Sequence, residues 1–153
     1  MNPVLLLAAV TVAYAGYNLL IKVSGTHVPA SATTTVLATI VLQLAALATS
    51  LVFYGALAVR GGQSFALTPS AYLWAALAGV CIGAAEIGYL YLFGGVGFAK
   101  PMAASIAIPT IVSGTIVIAT LASVLLLKEP LGWQQIAGGG LIVAGILVFF
   151  RGG

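Results

Sequence analysis

Apolar residues run along this chain in five long blocks, and short clusters of Gly, Pro, Ser and charged residues punctuate them. A helix needs about 20 apolar residues to cross a bilayer core. By that measure the blocks predict spans over residues 3–21, 33–59, 71–93, 102–127 and 133–150. The first ends at Lys22, and Ser24-Gly25-Thr26-His27-Val28-Pro29 is expected to turn, which places His27 in a loop. The second is long enough to tilt and closes at Arg60-Gly61-Gly62, ahead of the longest loop. Thr68-Pro69-Ser70 supplies start signals for the third, and the run from Gly94 to Pro101 breaks it. The fourth holds Pro109, which removes a backbone hydrogen bond and is expected to kink or split the helix. Lys128-Glu129-Pro130-Leu131-Gly132 makes a tight connection to the fifth, which closes at Arg151. The first block reads as a retained helix, since no Lys or Arg precedes it and Tyr14 and Asn18 interrupt its second half. The fold expected is all-α, a polytopic membrane helix bundle forming one domain over residues 1–153.

Composition sharpens this. Hydrophobic residues make up 62% and charged residues 5%, against about 25% charged in soluble domains. The chain therefore lives in a lipid bilayer, and a soluble enzyme, a nucleic-acid binder or a disordered tail is excluded. Its one cysteine, Cys81, lies mid-span and cannot form a disulfide within the chain. The five cations stand singly at helix ends. With five spans, Arg60 and Lys128 fall on one side and Lys22, Lys100 and Arg151 on the other. A bias this flat gives no firm orientation by the positive-inside rule. Either the signal is weak in a short chain, or the protein inserts both ways and pairs with an inverted copy of itself.

One residue carries most of the candidate chemistry. Of the two acidic side chains, Glu129 sits in a loop, whereas Glu86 stands alone inside an apolar span. A carboxylate in hydrocarbon costs at least about 2.5–3.5 kcal/mol, so its default reading is a functional group facing the protein interior. The plain alternative is a hydrogen-bonded glutamate that ties two helices together. Helical spacing puts Thr11, Tyr14, Asn18 and Lys22 on one stripe, and Thr39, Gln43, Ser50 and Tyr54 on another. Gly79, Gly83 and Glu86 form a third stripe, with Tyr89 beside it. Gly79-x-x-x-Gly83 is a spacing that lets helices approach closely, so Glu86 belongs to a packing face. Polar stripes mean a hydrated cavity or simple interhelical hydrogen bonds; Asn18, Gln43 and Glu86 together favour the cavity. Tyr14, Tyr17, Tyr89 and Tyr91 can stack on a cationic or aromatic substrate, or can pack helices and anchor at the interface.

In the fifth span, Gly140-x-x-x-Ala144 offers a smooth surface for helix packing or dimerisation. Trp74 and Trp133 both begin spans entering from one side, as an interfacial belt does. No nucleophile–base arrangement, metal cluster or phosphate loop is present, so neither an enzyme nor a cofactor is expected.

The segment Leu125-Leu126-Leu127-Lys128-Glu129-Pro130-Leu131-Gly132-Trp133-Gln134-Gln135-Ile136-Ala137-Gly138, followed by Leu141-Ile142-Val143-Ala144-Gly145-Ile146-Leu147, resembles the end of an EamA domain of the drug/metabolite transporter superfamily. Met1-Asn2-Pro3 with Gly16, Leu20, Lys22 and Ser24 resembles the first helix of the small multidrug resistance branch. That branch has four helices and an essential glutamate in the first, where this chain has Tyr14. Five spans match one EamA half instead. The resemblance implies a half-size transporter or flippase in a bacterial inner membrane, pairing with a second copy, antiparallel by the superfamily's inverted design. Its substrate would be a small metabolite, cation or lipid-linked molecule. On this reading two chains enclose a path lined by the first, third and fourth spans. Glu86 responds to protons or cations, Tyr14, Asn18 and Gln43 orient, and Pro109 bends the fourth helix. The rival is a non-transporting subunit whose Gly/Ala faces dock into a larger membrane complex.

Overall fold

The computed structural model describes residues 2–62 and 64–151. Met1, which the N-terminal resemblance includes, lies outside the described residues. The chain is all-α, with five helices: α1 Pro3–His27, α2 Ala32–Arg60, α3 Pro69–Gly94, α4 Ala104–Leu126 and α5 Trp133–Arg151. Among the described residues there is no strand. By length and composition α1 to α4 can each cross a membrane. The 19 residues of α5 span about 28 Å, close to the thickness of the hydrocarbon core.

The helices begin where local chemistry satisfies their free N–H groups. Asn2 Oδ1 accepts from the Val4 N–H at 2.9 Å, with Pro3 in the first turn. Ser31 Oγ accepts from Thr34 N–H and Thr68 Oγ1 from Ala71 N–H, each at 3.3 Å. One end differs from the expectation. The segment Ser24 to His27, expected as a turn, is the last turn of α1, so His27 is helical and not in a loop. Its polar groups fold back onto the helix: Thr26 Oγ1 donates to the Val23 carbonyl at 2.6 Å, and His27 Nδ1 lies 2.8 Å from the same oxygen. The helix stops at Val28, which is extended at φ −81° and ψ 126°. A residue before proline disfavours the helical region, so Pro29 sets the end and the Ser/Gly/Thr content does not.

The chain divides into two compact units, Met1–Pro101 and Met102–Gly153. In the first, α3 packs against both α1 and α2. Tyr17 meets Glu86, and farther along Gly25 meets Phe93, so α1 and α3 run parallel in direct contact. The buried residues of this unit, among those described, are Ile21, Gly25, Leu90 and Phe93 with the polar Asn18, Thr35, Thr39 and Glu86. A core this polar, under helices whose Leu and Val point outward, follows from the solvent. Lipid tails are as apolar as leucine, so packing and interhelical hydrogen bonds hold the helices together.

At Gly25 the backbones of α1 and α3 approach closely. A Cβ there would lie 2.7 Å from Phe93 Cβ and 3.1 Å from the Phe93 carbonyl carbon. The end of α3 is equally specific. Gly95 takes the left-handed conformation at φ +71°, and the Gly95 and Val96 N–H groups both reach the Tyr91 carbonyl. This is the glycine-terminated helix end expected at the Gly94 to Pro101 run. A side chain at Gly95 would also press on Pro101 at 3.1 Å.

In the second unit α4 packs against α5. Pro109 lies inside α4, which continues through it as one helix. The helix ends with the Leu127 and Glu129 N–H groups both on the Ser123 carbonyl, at 3.1 and 3.2 Å. Between them Lys128 has φ +56°, a left-handed conformation that costs a non-glycine residue roughly 1–2 kcal/mol. Lys128→Gly is therefore expected to raise stability by up to about 1 kcal/mol, after the loss of unfolded-state restriction. Thermal unfolding in detergent measures it, and an unchanged or lowered midpoint would contradict the strain argument.

Candidate functional site

The site forms where α1 and α3 run side by side. From α3, Glu86 is 3% exposed, one turn before the buried Leu90 and two before Phe93. From α1, Tyr17 donates its hydroxyl hydrogen to Glu86 Oε2. The carboxyl thus faces the neighbouring helix and not lipid. A tyrosine is well suited to reach it, because its ring packs in an apolar interface while its hydroxyl finds a partner.

Aromatic rings continue around this pair. Tyr14 meets Tyr17 edge-on with ring centroids 6.4 Å apart, and Tyr17 meets Tyr89 at 6.3 Å. Tyr89 meets Phe93 at 5.5 Å. The Lys22 ammonium lies 5.0 Å from the centre of the Phe93 ring, within cation–π range. A carboxyl set among tyrosine edges and faces can exchange a proton, and can attract a cation or an aromatic ring.

Asn18 is buried next to Tyr17, but its side chain turns back along α1, with Nδ2 donating to the Tyr14 carbonyl at 2.9 Å. Tyr14 is 61% exposed and reaches the pair only through the Tyr17 ring. Tyr89 is half-buried beside Tyr17. Gln43 is not part of this cluster; it lies in a groove between α2 and α3 with Gly83. At Gly79 and Gly83 an added Cβ would meet nothing within 4 Å, so neither marks a close approach within the unit. Pro109 is in the other unit, in a recess of α4 and α5 lined also by Ser113 and Gly145. There α5 turns Gly138, Gly139, Ile142 and Ile146 inward, while Gly140 and Ala144 are exposed.

Reasoning from sequence named Tyr17 only among rings able to stack, and did not pair it with Glu86. The available signal was topological. Alternate spans run in one direction, so residues at similar depth in α1 and α3 can meet. Tyr17→Phe keeps the ring and removes the bond. It is expected to lower stability by about 1 kcal/mol, the scale of hydrogen bonds between membrane helices. Unfolding in mixed micelles provides the measurement, and full wild-type stability would show that the bond contributes nothing net.

A family model describing EamA-like transporters matches residues 1–151. No curated protein and no solved structure matches the chain.

Proposed function

Because the chain belongs to the EamA-like transporter family, we propose that it is a half-size secondary transporter or flippase working as a homodimer with inverted symmetry. The membership makes it an integral membrane protein of a transporter family. The observation that carries the finer reading is Glu86, a carboxyl buried in the membrane and bonded to Tyr17 on a neighbouring helix. Ionisable groups in such places mark substrate and proton paths.

In the proposed cycle Glu86 exchanges between its bond to Tyr17 and a proton or cationic substrate. The Tyr17 hydroxyl holds the empty carboxyl, and the rings of Tyr14 and Tyr89 offer faces to the arriving group. Asn18 fixes the backbone around Tyr14. Pro109, which leaves one carbonyl of α4 without its helical partner, is the point where that helix bends. Substrates in keeping with this site are small metabolites, organic cations or lipid-linked molecules, moved across a bacterial inner membrane through a chain with five crossings.

A second reading has one observation in its favour. The Gly140-x-x-x-Ala144 stripe is exposed on α5, as a surface docking into a larger membrane complex would be. The first test is the mass of the intact particle purified in mild detergent. A homodimer that drives solute-coupled proton movement in liposomes supports transport. A fixed place among other subunits, with no flux, overturns it in favour of the accessory role.

A further inference from the structure

Between α2 and α3 lies an open groove of about 430 Å³, lined by Val36, Thr39, Gln43, Leu47, Gly83 and Ile87 among others. Within it, Thr39 satisfies its hydroxyl on its own helix, donating to the Thr35 carbonyl at 3.0 Å. Gln43 does not: among the described residues its side-chain amide has no hydrogen-bond partner. It stands in the middle third of the 29-residue α2, and so within the hydrocarbon layer. An amide left unpaired there costs several kcal/mol, and acyl chains offer neither donor nor acceptor.

We infer that this groove is where a second copy of the chain docks, with Gln43 of each protomer bonded to Gln43 of the other. Three features select that occupant. A primary amide carries both donors and an acceptor, so it is complementary to itself. A two-fold interface brings the same patch of both subunits together, and an amide on the axis meets its own image. The groove wall at Gly83 has no atom within 4 Å of a would-be Cβ, which leaves room for side chains of an incoming α2. A lipid tail would fill the volume and leave the amide unpaired.

This assignment rests on the homodimer proposed above and specifies its interface. The test uses the full chain in lipid bilayers, with association followed by two-colour single-molecule energy transfer. Gln43→Leu is expected to weaken the dimer by roughly three- to thirtyfold, from one or two interhelical hydrogen bonds. Gln43→Asn should retain part of the affinity. Because Gln43 borders an open groove, leucine there does not threaten the fold. In a Cys81→Ala background, which has no other thiol, Gln43→Cys should form an intermolecular disulfide under mild oxidation. Val52→Cys, on the opposite side of α2 and 72% exposed, should not.

Wild-type dimers that are indifferent to Gln43→Leu and give no Gln43→Cys disulfide would overturn the groove as interface and leave the dimer standing. A wild-type chain that stays monomeric at every protein-to-lipid ratio would sink the dimer itself, and this interface with it.

Discussion

Glu86→Gln is expected to reduce solute-coupled proton flux to the level of empty liposomes while the protein still folds and assembles. Glutamine matches glutamate in size and keeps an oxygen that can accept from the Tyr17 hydroxyl, so the α1–α3 contact survives. What it cannot do is take up or release a proton or balance a cation. The variant thus separates the two roles open to a buried glutamate, tying helices and carrying charge. Glu86→Asp, one methylene shorter, should keep a titratable group but draw it away from Tyr17, leaving slower flux. The measurement is dye-monitored proton movement in proteoliposomes driven by a substrate gradient. Wild-type flux and substrate binding in Glu86→Gln would end the case for the carboxyl and leave it a tie between helices. The Tyr17→Phe variant provides the complementary control, since it removes the bond and keeps the acid.

Gly25→Ala is expected to destabilise the protein by about 1–3 kcal/mol, the usual range for overpacking, and Gly25→Leu to prevent α1 from seating on α3. The sign is informative, because alanine in a helix gains up to about 1 kcal/mol over glycine by propensity. At Gly25 that gain is overrun, since the new methyl would lie 2.7 Å from the Cβ of Phe93, an atom with no rotamer by which to retreat. Gly79→Ala provides the contrast: with nothing within 4 Å, it should be neutral or mildly stabilising. Detergent-unfolding midpoints of the two variants settle the matter. If Gly25→Ala matched Gly79→Ala, the α1–α3 register described above would be wrong.

The same pair of glycines shows what sequence can and cannot convey in a membrane fold. The helices themselves were legible, because apolar length and capping residues are local signals; Ser31, Thr68 and Gly95 do at their helix ends what their types suggest. The inward placement of Glu86 was legible too, since a lone carboxyl in hydrocarbon has few other options. Which small residue meets another helix was not. Gly79-x-x-x-Gly83 has the familiar spacing, yet the tight contact falls on Gly25, in a stretch that reads as a turn. Spacing along one helix says nothing of the register between two. Hydrophobicity is of little help either, because lipid tails are as apolar as leucine and an apolar residue is as well placed in lipid as against a helix. Gln43 was grouped with Glu86 for the same reason: both are mid-membrane polar groups, and only the packing shows Glu86 turned to α1 and Gln43 in the groove between α2 and α3.

The position of α3 as a shared wall has a thermodynamic consequence. Glu86 faces α1, and Gly83, one turn earlier on the same helix, faces the groove shared with α2. A small roll of α3 moves both faces at once. If a ligand at Glu86 changes the free energy of whatever fills the groove, then filling the groove changes the affinity at Glu86 by the same factor, because coupling between two sites is reciprocal. Assembly state and substrate occupancy would then be two readouts of one helix's orientation, each able to report on the other.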